Sequence, residues 1–219
     1  MDINVNGTGK KYYKPDQITL NFDFNCKNAD YEAALSNGVE RVTNYLAFLN
    51  KLGFKKEEIK TLSFRVTESR FYNELTKKYE KDGFLFQQNV KLKFDYDMEK
   101  LSKLMEETSK IQNPPLYYIS FNLKDNKTAE QDLIGLAYKE AEFQAQAVAN
   151  AAGKKLKECA KISFEPFTSA LVSPTSFERD MCFKKSEKFG ASTSEQIQQT
   201  FVPEDILVTK TVYCLFIAE

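Results

Sequence analysis

Ile18, Leu20, Phe22, Phe24 and Cys26 alternate without a break with Thr19, Asn21, Asp23 and Asn25. A period of two describes a strand with one face in a core and one in water, and no helix satisfies it. Upstream, Ile3 and Val5 alternate with Asp2, Asn4 and Asn6, and Gly7 and Gly9 keep the parity of the apolar set. Lys14-Pro15-Asp16 stands between these two strands. It predicts a turn, because proline presets the turn dihedral and aspartate bonds its own backbone.

A chain of 219 residues, 42% of them hydrophobic, is long enough to bury a core without metal or disulfide. Lys plus Arg (31) equals Asp plus Glu (31). That balance lacks the basic excess a nucleic-acid partner requires. Lys154, Lys155, Lys157 and Lys161 read as a solvated helix end. No apolar run approaches the ~20 residues that cross a bilayer. Met1 leads into a strand with no signal peptide ahead of it, which predicts a cytoplasmic protein. A leader removed earlier would instead imply an exported or envelope-associated one.

There is no histidine. Ser-His-Asp and Cys-His catalysis, imidazole metal ligands and the usual near-neutral proton shuttle are thereby excluded. No catalytic, cofactor-binding or metal-ligating residue is assigned, and a non-enzymatic protein without cofactor is expected. Of the four cysteines, Cys26, Cys159, Cys182 and Cys214, none stands in a C-x-x-C pair. Cys26 and Cys214 share parity with apolar neighbours and read as small buried hydrophobes. A Cys26–Cys214 disulfide requires their two strands to pair. Cys182 lies in a polar stretch and is the thiol expected to be exposed and reactive.

Leu35, Val39, Val42, Leu46 and Leu49 form one apolar stripe on a helix from about Asp30, a candidate cap, to Leu52. Gly53 stands where a left-handed terminator belongs. A strand follows from Ile59 to about Phe71, with Leu62, Phe64 and Val66 on one face, then a polar hairpin from Asn73 to Gly83. The next strand carries Phe84, Phe86, Val90, Leu92, Phe94 and Tyr96. Asp97 caps a second helix with the stripe Leu101, Leu104, Met105, Thr108 and Ile111, stopped at Asn113-Pro114-Pro115. Tyr117, Ile119, Phe121 and Leu123 alternate as a strand. Thr128 with Gln131 resembles a capping box opening the longest helix, which is lined with Ala137, Ala141, Ala145 and Ala149 and ends at Gly153. A short strand spans about Lys161 to Phe164. Pro203-Glu204-Asp205 leads into the last strand, Ile206, Val208, Val212, Cys214 and Phe216, where Lys210 interrupts the face and reads as an edge or strand-end lysine.

The order is ββαββαβαββ, with a ferredoxin-like βαββαβ segment from the second strand to the fifth. A single α+β domain over 1–219 is expected, a mostly antiparallel sheet with helices packed on one face and a variable loop at about 165–199.

Five pieces along the chain carry a resemblance. They are Val5-Asn6-Gly7-Thr8-Gly9, Lys14-Pro15-Asp16 with its strand, and Leu52-Gly53-Phe54 followed by Glu57-Glu58-Ile59-Lys60-Thr61. The others are Ala151-Ala152-Gly153-Lys154-Lys155-Leu156 and Pro203-Glu204-Asp205-Ile206. In this order the chain resembles SIMPL-domain proteins, the bacterial group of YggE-like and Brucella periplasmic antigen-like proteins. The resemblance implies an α+β fold, a tendency to homo-oligomers and a poorly defined role in the envelope, stress tolerance or protein interaction. It carries over no catalytic residue. Gly7, Gly9, Pro15, Asp16, Gly53, Gly153 and Pro203 are its structural motif residues: glycines for close approach and helix ends, prolines and aspartate for turns.

Ala152-Gly153-Lys154-Lys155 lacks the first glycine and the Ser/Thr of a phosphate loop and ends a helix instead of beginning one. Glu68 and Arg70 share the parity of the apolar face, yet solvation beside the polar hairpin accounts for them better than a cleft. Tyr12-Tyr13 among Lys10, Lys11 and Lys14 is the one candidate platform for stacked bases, and reads as an exposed strand end. The expectation is a self-assembling interaction protein with itself as partner. The alternative is a ligand-binding module or enzyme with a pocket between the sheet and the Ala-rich helix.

Glu165 to Gln199 combines Pro166, Pro174 and Gly190 with many Ser, Thr and Lys residues and reads as a surface loop or partly disordered insertion. Deleting Thr175 to Ser194 should therefore leave the circular-dichroism spectrum and melting cooperativity intact. Loss of the fold would reveal a core element there, and loss of assembly alone would reveal an arm.

Overall fold

Pro15 separates two strands that do not pair with each other. The computed structural model describes residues 1–167 and 202–219. Its elements are β1 (Asp2–Tyr13), β2 (Gln17–Asn28), α1 (Tyr31–Lys51), a 3-10 turn (Lys56–Glu58), β3 (Ile59–Asn73), β4 (Lys78–Asp95), α2 (Met98–Ser109), β5 (Leu116–Asn122), α3 (Asn126–Asp132), α4 (Ile134–Ala151), β6 (Leu156–Ser163) and β7 (Ile206–Ala218). The α+β reading and its element order hold, with two antiparallel sheets in place of one. The described residues form two compact units, one around Pro15–Asn122, the other from Met1–Lys14, the chain after Leu123 and Glu204–Glu219. The segment 14–16 is a link between sheets and not a hairpin turn. Asp16 uses its backbone in the second sheet: its N–H donates to the Asn122 carbonyl at 3.1 Å, and its carbonyl accepts from the Tyr96 N–H at 3.0 Å.

In the unit around Pro15–Asn122 the strand order is β3-β4-β2-β5. The alternation of β2 is realised: Ile18, Leu20, Phe22 and Phe24 are at most 1% exposed. They share one core with Val42, Tyr45 and Leu49 of α1 and Leu101 and Leu104 of α2, so both helices cover the same face. Aromatic edges lock it, with Tyr45 centred 5.1 Å from Phe22 and 5.5 Å from Phe24 in edge-to-face geometry. The buried face of α1 runs through Ala34, Gly38, Val42, Tyr45 and Leu49, rotated from the expected stripe, and Val39 is exposed. Gly38 explains the rotation: a Cβ there would stand 2.2 Å from the Phe86 ring, so the missing side chain makes room for an aromatic. Asp30 occupies the N-cap position without a side-chain cap bond, whereas the Asp97 side chain accepts from the Lys100 N–H. Gly53 ends the helix at φ +89°. The polar hairpin shrinks to residues 74–77 between β3 and β4, and β3 bulges at Leu62, which with Phe64 is half exposed instead of in the core.

In the other unit the order is β1-β7-β6. The buried side of β7 is Val208, Val212, Cys214, Phe216 and Ala218. Lys210 lies in the part of β7 that, among the described residues, pairs with β1 alone, because β6 reaches only to Tyr213. The Lys210 ammonium pairs with Glu130 at 2.9 Å and lies 5.2 Å from the Phe164 ring centre. The long helix opens one cap earlier than expected. Asp125 accepts from the Thr128 N–H, and the helix is divided into α3 and α4 at the fully buried Leu133. Ala137, Ala141, Ala145 and Ala149 have no exposed surface. A Cβ on Gly7 would stand 2.0 Å from the Ala137 carbonyl oxygen, and one on Gly9 2.4 Å from that of Leu133. Helix and strand meet backbone to backbone.

Gly7→Ala should therefore cost at least about 2 kcal/mol in a denaturant melt, since the obstructing atoms are backbone and cannot rotate away. Gly135→Ala, in the same helix with nothing within 4 Å of the added Cβ, should be neutral or gain up to roughly 1 kcal/mol.

Candidate functional site

Among the described residues the Ala-rich helix and the sheet meet in direct contact where the expected pocket would lie. The alanine stripe is fully buried, and the strand facing it carries glycines at the contact. Its small residues serve close approach.

A cleft of about 880 Å³ opens instead in the unit around Pro15–Asn122. It lies between the exposed end of β2, the outer turns of α1 and the segment after α2. Phe24, Tyr45, Phe48, Ile111, Pro114 and Pro115 make its apolar wall, and Asn37, Asn44 and Gln112 bring amides to it. Arg41 organises this place. Its two Nη groups donate to the carbonyls of Asn25 at 2.8 Å, Asn113 at 2.8 Å and Pro114 at 3.2 Å. Asn113 adopts φ +59°, a left-handed conformation that asparagine tolerates. The guanidinium thus ties β2 to the segment that stops α2. Its Nε is a buried nitrogen without a hydrogen-bond partner among the described residues. Behind the wall, the Tyr45 hydroxyl and Thr108 Oγ1 are 3.1 Å apart. Burial pushes the Tyr45 hydroxyl far above its usual pKa, so it stays a neutral phenol. Beside this apolar wall the cleft presents the amides of Asn37, Asn44 and Gln112 and the carboxylate of Glu40.

The structure places the sequence-derived residues elsewhere. Gly7 and Gly9 lie under α4; Gly53 and Gly153 end helices at φ +89° and +67°. Pro15 is buried at the link, and Pro203 is half-buried ahead of β7. They meet in no common site. Cys182 and most of the 165–199 loop fall outside the described residues. Cys26 lies in β2 and Cys214 in β7, strands of different sheets, and both thiols are free. Glu68 is solvated: Arg70 bonds it at 2.7 Å and Lys81 approaches to 3.4 Å, which holds its carboxyl below the usual range. Of the tyrosine pair, Tyr12 is exposed, while the Tyr13 hydroxyl donates to the Ala129 carbonyl at 3.4 Å. Lys157 pairs with Glu219. Among the described residues no three His, Cys, Asp or Glu side chains gather to hold a metal ion, and no helix is long and apolar enough to cross a membrane. Arg41 was missed by sequence reasoning. A lone polar residue on a helix gives no signal until the carbonyls it reaches are known.

No match emerges among curated proteins. The family model described as SIMPL, protein of unknown function (DUF541), matches residues 3–216, nearly the whole chain. The five sequence pieces, the two antiparallel sheets and this match agree, and the chain belongs to the SIMPL family.

Proposed function

We propose that this protein works without catalysis, by assembling with further copies of itself through the edge of β5, which no strand among the described residues pairs. The observation that carries the reading is the contrast among the four outer strands, β1, β6, β3 and β5. β3 carries Lys60, Arg65, Glu68 and Arg70, one bulge of its own and a register slip against a bulge in β4. β6 carries Lys157, Glu158 and Lys161 and two bulges. β1 carries Asp2, Lys10 and Lys11. Charges and bulges on an edge are the devices that discourage further pairing. β5, Leu-Tyr-Tyr-Ile-Ser-Phe-Asn, has neither: it is uncharged and runs in unbroken register along β2. Leu116 is 71% and Tyr118 56% exposed on its open face.

A second β5 laid antiparallel about a two-fold axis presents the same donors, acceptors and side chains to both copies. The absence of histidine supports the non-catalytic part of the reading. Light scattering at micromolar concentration should give a mass well above the 25.2 kDa of one chain. Leu116→Lys with Tyr118→Lys should lower it to that of a single chain while the circular-dichroism spectrum stays unchanged. A wild-type protein that is strictly monomeric sinks the proposal.

The Arg41 cleft favours a second reading, a module that binds a neutral, flat ligand. Asn37, Asn44 and Gln112 line it, and no partner is recorded for these amides among the described residues. Indole and benzamide serve as probes. Either should raise the melting temperature of the wild type and fail to do so in Asn44→Trp, whose ring plugs the cleft. Equal responses in both proteins would remove this reading.

A further inference from the structure

The unit that holds α4 contains two thiols on one sheet face. Cys159 of β6 stands opposite Phe216 of β7, two positions from Cys214 on the same strand. Both side chains join the core under α4: Cys214 is fully buried among the alanines, and Cys159 packs against that cluster from its edge. The register slips between Cys159 and Lys161, so β6 bulges at Ala160 beside the pair. A second slip lies between Leu156 and Glu158. Bulges bend and twist a strand, and an outer strand bonded on one side only has slack to follow. Cys159 is a diagonal cross-strand neighbour of Cys214, and both side chains belong to the same apolar cluster. Cys159 Sγ donates to the Lys161 carbonyl at 3.5 Å.

The two sulfurs are not equivalent. Cys214 is sealed from solvent, and burial, with Cys159 beside it, pushes its thiol up to about 11. It stays protonated and out of reach of a dissolved oxidant. Cys159 is half-buried on an outer strand and is the sulfur an oxidant meets first.

We propose that Cys159 and Cys214 are a reversible redox pair that closes on exposure to a hydroperoxide. The peroxide O–O bond breaks as Cys159 sulfur takes one oxygen, giving a sulfenic acid and releasing an alcohol or, from hydrogen peroxide, water. Cys214 sulfur then attacks Cys159 sulfur. The S–O bond breaks, the hydroxyl leaves as water with the Cys214 proton, and the S–S bond forms. Two electrons have passed to the peroxide. A dithiol reductant restores both thiols. The bond staples β6 to the central strand β7, and the covalent ring encloses residues 160–213.

The test uses the full chain with Cys26→Ala and Cys182→Ala, leaving only the pair, and hydrogen peroxide as probe. Intact mass should fall by two hydrogens, a tryptic map should join the peptides of Cys159 and Cys214, and dithiothreitol should reverse both. The melting temperature should rise by several degrees, because the cross-link restricts the unfolded chain over a long loop. In Cys214→Ala added to this background, a dimedone trap should label Cys159 as sulfenic acid, and no mass loss should occur. Cys159→Ser added instead should leave Cys214 unmodified. Gain of two or three oxygens at Cys159 with Cys214 present, or disulfides only between chains, overturns the proposal.

Discussion

Helix α4 rests on the bare backbone of β1, and the unit that contains them depends on that contact. Gly7 and Gly9 place no atom between the strand and the carbonyls of Ala137 and Leu133. The helix answers with alanine at every fourth position, Ala137 to Ala149, all without exposed surface. A larger residue on either side holds the two apart and opens a gap along the whole stripe, because a rigid helix cannot yield at one turn only. The register is fixed for the same reason: glycines and alanines have to coincide. With β1 and β7 committed to α4 on one face, Cys214 and Phe216 are sealed beneath it.

The unit around Pro15–Asn122 solves the same problem with bulk. Its sheet presents Phe22, Phe24, Phe86 and Phe94, and α1 and α2 meet these rings with Tyr45, Leu49, Leu101 and Leu104. A single small residue, Gly38, lets α1 settle over Phe86. Aromatic side chains of this size leave uneven margins at the ends of a helix layer. The Arg41 cleft is such a margin, and it is kept open by a guanidinium bound to three carbonyls in place of an apolar side chain that would fill it.

What the sequence made legible follows from how local each signal is. The strict alternation of β2, the glycine at the end of α1 and the Asp97 cap depend on neighbours a few residues away, and each appears where the pattern puts it. The βαββαβ order also survives, because short connections leave few ways to lay four antiparallel strands. The departures have long-range causes. Val39 is exposed because a ring nearly fifty residues later claims the space at Gly38. The partner of Lys210 was equally out of sight: Glu130, which pairs with it, lies on a helix far earlier in the chain. The division into two sheets was hidden for the same reason: both opening strands have the same alternating pattern, and nothing in that pattern names its partner.

The distribution of charge along the outer strands bears on how such a chain acts. A protein with a buried catalytic centre concentrates its polar groups in one place, where burial shifts their protonation. Here the described charges lie mostly outside, in pairs such as Glu68 with Arg70 and Lys210 with Glu130. The groups that burial does shift upward among the described residues, the Tyr45, Tyr117 and Tyr138 hydroxyls and the Cys214 thiol, are neutral ones held neutral. Burial holds such groups in the neutral form, which an apolar core accommodates at less cost than a charge. What varies from strand to strand is the edge: charged and bulged on β3 and β6, charged on β1, plain on β5. Differences among edges act only when something pairs with them. A strand added to such an edge meets its backbone donors and acceptors together with the few side chains that flank them, so those side chains decide whether the edge admits it.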